Sequence, residues 1–327
     1  MILAGDIGGT KSLLAFFAPK TGPRAAHHER SLPSRDYPGL AEVLEDFLRH
    51  ASEPIEVACF GIPGPVVEGR SETPNLPWVV DARELRPVVG GDVVLINDLE
   101  ATGYGIATLR PDELVTLSAG QPNPKGNAAL IAPGTGLGEA ILFWDGRRHR
   151  PSASEGGHAD FAPRNAREID LLAFLLKQFD RVSYDRVLNG TGLCRVYAYL
   201  KETGYADEPA WLAEEMVRAE DPAAVISGVA LEGRSELCVK ALDIWVSLLG
   251  AEAGNLALKA LATAGVYLGG GIAPKILPKL RDGTFLTAFH DKGRLSTLVG
   301  HMPVQVILNA KTALFGAARF ALEQLRT

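Results

Sequence analysis

The sequence predicts an α/β protein built as two lobes, and three observations carry that expectation. The 327 residues are about two domains' worth of chain at roughly 150 residues each. Short apolar runs alternate with segments of helical spacing, the order of elements in an α/β sheet. A device of strand, glycine-rich turn and strand opens the chain and recurs near residue 130, a weak internal repeat of the kind a duplicated domain leaves. Hydrophobic residues make up 46% and charged residues 22% of the chain, ordinary globular usage that excludes disorder.

The elements follow in order. Residues 2–7 form an apolar strand that runs into Gly8, Gly9, Thr10 and Lys11. Residues 12–18 lack helical spacing and end at Pro19, so they predict a second strand and a hairpin with a glycine tip. Leu40, Val43, Leu44, Phe47 and Leu48 recur at helical intervals and predict an amphipathic helix over 36–50. A strand at 56–61 is broken by Pro63, Gly64 and Pro65. A polar loop at 73–78 leads to a short helix near 82–88. The buried strand 93–96 ends in Asn97 and Asp98, and 99–109 is the helix after it.

A composition shift at Pro111 and a loop at 120–127 mark the boundary between lobes. Beyond it come a strand at 128–132, the turn from Pro133 to Gly138, and a strand at 139–144. Residues 165–263 read as mostly helical, with one long pattern over 235–262. Residues 266–271 return to strand and glycine turn, with Pro274 at a helix start. A last strand at 304–308 and a last amphipathic helix at 312–325 complete the order.

Charge and cysteine content narrow the partners. Lys and Arg number 33 against 39 Asp and Glu, a net charge of −6, and no block of five basic residues occurs. A sequence-independent grip on nucleic acid is therefore not expected. The opening residues hold no signal-peptide core, and no apolar run approaches the ~18 residues of a membrane span. The 3 cysteines are scattered, with no CxxC, and suit reduced thiols of a cytoplasmic protein.

Three glycine turns follow apolar strands, at 5–10, 134–138 and 269–271. Glycine lets main-chain N–H groups close on an anion without a Cβ in the way, and Thr10 and Thr135 add hydroxyls. A lone cluster of this kind is usually only a turn, but three in one chain point to a nucleotide. GxxxxGK[ST] is absent, so a P-loop falls. A dinucleotide fingerprint would open a helix, whereas strand follows Gly9, so that reading falls too.

Asp98 has two readings. It is a good helix N-cap, or a carboxylate aimed into the crevice at the C-terminal end of a strand. The loop Glu155, Gly156, Gly157, His158, Ala159, Asp160 gathers an acid, a histidine and a second acid on a glycine-rich turn. That suits a polyhydroxyl ligand and is not the helical HExxH zinc pattern. No His or Cys with metal-ligand spacing accompanies it, so no protein-held zinc is expected.

These motifs, in this order, resemble those of bacterial glucokinases of the proteobacterial type, over nearly the whole chain. The resemblance rests on GDIGGT at 5–10, Asn97–Asp98, GTGLG at 134–138, EGGHADFAP at 155–163 and GGGIAP at 269–274. It implies the two-lobed actin/hexokinase-like (ribonuclease H-like) fold, with mixed sheets flanked by helices and an interlobe cleft that closes on sugar. The small N-terminal lobe would be 1–109 plus 310–327 and the large lobe 110–309. The related repressor/kinase group carries a zinc-binding cysteine cluster, which three scattered cysteines do not provide. Its repressors place a helix-turn-helix before the first glycine motif, where only four residues stand here.

The resemblance also implies roles. Asp98 would be the general base on the 6-hydroxyl of glucose, and Asn97 would hold the 3- and 4-hydroxyls. Glu155 and His158 would bind hydroxyls near carbons 1 to 3, and Asp185, where relatives carry Glu, the anomeric hydroxyl through a longer contact or a water. ATP would lie on Gly5, Asp6, Ile7, Gly8, Gly9 and Thr10, on Gly134, Thr135 and Gly136, and by its adenosine on Gly269, Gly270 and Gly271. Mg2+ would accompany it, held by Asp6 through water, with Lys11 approaching the phosphates. The expected assembly is a homodimer. Alternatives are a kinase for another hexose or amino sugar, a non-catalytic sugar sensor, and an actin- or chaperone-like ATPase.

Overall fold

In the computed structural model, which describes residues 1–74 and 76–325, the opening strand is β1 (Ile2–Ile7) and turns back at once into β2 (Lys11–Phe17). Asn75, in the predicted loop 73–78, and Arg326 and Thr327, at the end of the predicted first lobe, lie outside the described residues. The next strands are β3 (Ala26–Pro33), β4 (Val57–Ile62), the short pair β5 (Arg70–Glu72) and β6 (Val79–Asp81), and β7 (Asp92–Asn97). Three helices accompany them: α1 (Leu40–Leu48), α2 (Ala82–Val89) and α3 (Asp98–Ile106).

The first sheet has the order β3-β2-β1-β4-β7. β1 is antiparallel to β2 and parallel to β4, which is parallel to β7. Side chains alternate across a strand, and β1 obeys this: Leu3 and Ile7 pack with Leu14, Phe16, Val43 and Phe47, while Ile2 and Ala4 pack with Cys59, Ile96 and Leu314. Both faces are covered, so the strand reads as an unbroken apolar run. The second face is closed by α3 and by the C-terminal helix (Thr312–Gln324).

The second sheet has β8 (Leu114–Ser118), β9 (Ala128–Pro133), β10 (Leu137–Trp144), β11 (His149–Ser154), β12 (Gly265–Leu268) and β13 (Val304–Ile307), in the order β11-β10-β9-β12-β13-β8. β12 is parallel to both β9 and β13. Helices α4 (Ala166–Leu175), α5 (Tyr184–Val187), α6 (Gly190–Glu202), α7 (Ala210–Arg218), α8 (Pro222–Leu231) and α9 (Glu236–Ala260) fill the predicted helical region. α9 is the buried spine of that core, with Trp245 fully enclosed. Then follow α10 (Leu277–Leu280), α11 (Thr284–His290) and α12 (Ser296–Gly300). No helix of the described residues is long and apolar enough to cross a membrane.

The chain divides into two compact units. One comprises Met1–Leu114, Leu142–Ala153 and Asn309–Thr327, the other Val115–Ile141 and Ser154–Leu308. Leu142–Ala153 joins the first unit because Pro151 fills the space in front of Gly103, where a Cβ would lie 2.8 Å from it, and Arg148 pairs with Glu323.

Some expectations need correction. Residues 26–33, for which the sequence predicts no element, form β3, a polar strand paired only with β2 and with most of its side chains unburied. The predicted helix at Pro274 is a run of turns, and α10 begins only at Leu277. Gly270 holds φ at 76°, a left-handed value that a helix does not pass through.

Candidate active site

In the first unit, the C-terminal ends of the parallel strands β1, β4 and β7 collect Asp6, Gly61 and Asn97–Asp98. A Cβ on Gly61 would stand 2.9 Å from the Ala101 Cβ and 3.6 Å from the Asp98 Cα. The glycine thus lets the start of α3 sit directly on the end of β4. Strand ends of parallel sheets are where α/β proteins bind ligands.

Asn97, not Asp98, is the N-cap of α3. Its Oδ1 accepts from the N–H groups of Leu99 at 2.9 Å and Glu100 at 3.3 Å, and its Nδ2 donates to the Gly64 carbonyl at 3.0 Å. A cap of this kind is worth ~1 kcal/mol. Asp98 is the first helical residue, half-buried, with Oδ1 accepting from the Leu99 N–H at 2.9 Å. The reading of Asp98 as the cap is therefore replaced by Asn97.

The hairpin tip is closed by the Gly8 N–H donating to the Lys11 carbonyl at 3.0 Å. Thr10 and Lys11 are exposed there. Ser34, which the sequence did not single out, braces the tip. Its Oγ donates to the Gly8 carbonyl at 2.7 Å, and its N–H to the Thr10 carbonyl at 3.0 Å. Gly5 and Ile7 lie inside β1 and are buried, and a Cβ on Gly5 would meet Leu14 at 2.6 Å and Phe60 at 2.7 Å. Gly5 is a glycine for packing. Asp6 is half-buried, and desolvation pushes its pKa up to about 6 against the pull of Lys11.

The second unit holds the other two glycine turns side by side, at the ends of the parallel strands β9 and β12. Gly134 donates to the Gly136 carbonyl at 2.8 Å, and Thr135 and Gly136 are exposed at the tip. A Cβ on Gly134 would meet nothing nearer than 4.0 Å, so packing does not require glycine there. What the glycine keeps is open space before the turn. Gly269 is packed against Leu130, Gly270 passes close to the Pro133 carbonyl, and Gly271 faces open space.

Asp185 stands on α5 against the first of these turns. Its Oδ1 accepts from the Leu137 N–H at 2.8 Å, so one carboxylate oxygen is engaged by the backbone of the turn. This short side chain thus has a structural contact of its own.

Glu155 precedes and His158 ends a 3-10 turn (Gly156–His158), held by the His158 N–H on the Glu155 carbonyl at 2.9 Å. A Cβ on Gly157 would lie 2.1 Å from the Leu137 carbonyl, and one on Gly156 2.2 Å from Glu139 Oε2. The two glycines therefore let the loop lie flat on β10. Above it the side chains of Glu155 and His158 are 55% and 58% exposed, with Oε2 and Nε2 3.9 Å apart. An acceptor and an imidazole side by side suit vicinal hydroxyls. Asp160 belongs elsewhere: Arg181 holds its carboxylate at 2.6 Å and also donates to the His158 carbonyl at 2.9 Å. No group of three or more His, Cys, Asp or Glu residues among the described ones could hold a metal ion.

A family model described as Glucokinase matches residues 3–324. A glucokinase of Nostoc punctiforme is 40% identical over 97% of this chain and 98% of its own length. One of Chromobacterium violaceum is 35% identical over 99% of this chain and 90% of its own. Among solved structures, a glucokinase from an Antarctic psychrotroph superposes with a TM-score of 0.82 at 30% identity, covering 98% of both chains. The glucokinase of Balamuthia mandrillaris in complex with glucose shares the fold, with a TM-score of 0.83 at 21% identity over 98% of this chain and 93% of its own.

Proposed function

The chain belongs to the glucokinase family, and from that premise we propose which of its side chains carry out the family's reaction. That reaction is ATP-dependent phosphorylation of D-glucose at the 6-hydroxyl, giving glucose 6-phosphate and ADP. Asp98 is the general base: as the bond from the sugar's O6 to the γ-phosphorus forms, the O6 proton passes to the carboxylate. A weakly nucleophilic hydroxyl gains ~10²–10⁴-fold from such a base. One observation carries this assignment. Asn97 performs the capping that would otherwise account for a carboxylate at the start of α3.

Glu155 and His158 hold hydroxyls near carbons 1 to 3, as their shared exposed face allows. Asp185 serves the anomeric hydroxyl through the oxygen not engaged by the Leu137 N–H. Asn97 holds the 3- and 4-hydroxyls through its Nδ2 group, which already orients itself on the Gly64 carbonyl.

The N–H groups of Gly9 and Thr10 at the hairpin tip and of Thr135 and Gly136 at the second turn serve the phosphates of ATP, while those of Gly8 and Gly134 close the two turns. The turn at 269–271 lies by the adenosine. Asp6 is assigned to Mg2+ through water. Burial raises its carboxyl pKa to about 6, and a cation before it would favour the charged form. When bound, Mg2+ neutralises charge on the transferring phosphoryl group. We read the protein as a cytoplasmic homodimer, in keeping with its family and with its free cysteines. Sedimentation equilibrium checks the dimer.

Asp98→Ala tests the base. With the Asn97 cap intact, kcat should fall by ~10²–10⁴-fold while the KM for ATP stays within about twofold. Loss of ATP affinity in step with kcat would overturn the assignment and make Asp98 a structural residue.

A further inference from the structure

The turn that carries Glu155 and His158 rests on a buried pair of acids. Glu139, on β10, is 1% exposed, and Glu252, on α9, is 0% exposed. Glu139 Oε2 lies directly under the Gly156 backbone, where no side chain fits, and Oε1 has no partner among the donors described. Glu252 is better supplied. Asn255 Nδ2 donates to its Oε2 at 2.9 Å and Lys259 Nζ approaches its Oε1 at 3.4 Å. Both carboxyl groups are buried, and the Glu252 charge together with burial disfavours a second carboxylate at Glu139. The group without donors is the one that carries the proton.

The same cluster reaches the other sugar-site segment. Asn255 Nδ2 also contacts the Tyr184 hydroxyl at 3.3 Å, and the Tyr184 N–H donates to the Ala159 carbonyl at 3.0 Å. Tyr184 immediately precedes Asp185 in α5. Lys292 anchors the far side through Asn255 Oδ1 at 2.8 Å and the Ala251 carbonyl at 2.9 Å.

We propose that Glu139 and Glu252 share one proton and that Glu139, in its neutral form, is a positioning residue that seats the Gly156 backbone on β10 and thereby sets Glu155 and His158 for glucose. This inference rests on the reading of Glu155 and His158 as sugar-binding residues. Burial and the Glu252 charge push the Glu139 pKa up to about 8, with Lys259 opposing. The groups around the pair are Glu252, Asn255 and Lys259 on α9, Tyr184 on α5, Lys292 after α11, Arg164 before α4, and Glu155 and His158 on the loop itself. Ionisation of Glu139 would set a second charge beside Glu252 and beneath the loop, opposed chiefly by Lys259. The loop would then lose its seat and glucose its grip.

The test is steady-state kinetics of the full chain between about pH 7 and about pH 9, with Glu139→Gln, Glu252→Gln and Glu155→Ala beside the wild type. The wild-type glucose KM should rise roughly tenfold as Glu139 ionises, while kcat and the KM for ATP move less than about twofold. Glu139→Gln keeps a neutral donor and should hold the low glucose KM across the range. Glu252→Gln removes the charge that raises the Glu139 pKa and should shift the midpoint of the rise to lower pH, and a shift to higher pH overturns the pair. An unmoved midpoint overturns the pair. So does a wild-type KM that does not change with pH, or a rise retained in Glu139→Gln. Glu155→Ala separates the two levels. If it leaves the glucose KM unchanged, the sugar-binding reading itself fails. If it raises that KM while Glu139→Gln follows the wild type, the acid pair alone fails.

Discussion

Asn97 and Asp98 adjoin in the chain, and the polar atoms of Asn97 are largely spent on the backbone of α3 and of Gly64. Asp185 divides its carboxylate in the same way, with Oδ1 on the Leu137 N–H. Such divided use yields a prediction. Asp185→Asn can keep its amide oxygen on Leu137, so the turn should stand, but it loses the charge offered to a sugar hydroxyl. Its glucose KM should rise roughly tenfold, the scale of one charged hydrogen bond, with the KM for ATP unmoved. Asp185→Ala should raise both, because the turn at 134–136 then loses its anchor. If Asp185→Asn raised both equally, the carboxylate would serve the turn alone. Glu155 and His158 were readable in the sequence because two glycines between polar residues announce a loop with side chains to spare. Ser34 was not, since its contacts to Gly8 and Thr10 depend on how β3 returns to the hairpin. Glu139 left one signal, an acid inside an otherwise apolar strand, whose meaning needed Glu252, more than a hundred residues away.

At the scale of elements, α3 owes its position to the C-terminal helix as much as to its own cap. The two helices meet without side chains between them: a Cβ on Gly316 would lie 1.7 Å from the Ala101 carbonyl oxygen, and one on Gly105 1.9 Å from that of Thr312. Gly316→Val must push these backbones apart, and overpacking of this kind costs about 1–3 kcal/mol or more. The urea midpoint should fall accordingly, with the glucose KM rising as Asp98 shifts. A variant within about 0.5 kcal/mol of the wild type would mean that the helices do not touch this closely. Neither glycine was an evident contact from sequence, because helix-to-helix approach joins segments about two hundred residues apart. Elements with a buried apolar pattern, such as β1, β4, β7 and α1, stood out in the sequence. β3, β5, β6 and β11 did not, since β5 and β6 are three residues long and β3 and β11 are edge strands with mostly unburied side chains, where hydrophobic alternation is weak.

Across the whole molecule, the buried acid pair should be visible in the dependence of stability on pH. The Glu139 pKa is about 8 in the folded protein, against a usual value near 4.5. A raised carboxyl pKa means that the folded state holds a proton the unfolded chain has released. Its contribution is fully present below about pH 4.5 and is lost progressively as the pH rises to about 8, by at most about 1.4 kcal/mol per pH unit. Other groups titrate in the same range. Asp6, raised to about 6, acts with the same sign, while His290, lowered by burial, stabilises as the pH rises. Glu113, Asp81 and Asp145, held down to about 2 by arginines and backbone N–H groups, act only at more acid pH. These effects cancel in a difference between wild type and Glu139→Gln. Urea unfolding from about pH 5 to about pH 8 should show the variant gaining stability over the wild type steadily with pH, because Gln cannot ionise in either state. A constant difference across that range would mean that Glu139 is ionised in the folded protein, and the neutral acid beneath the sugar loop would go with it.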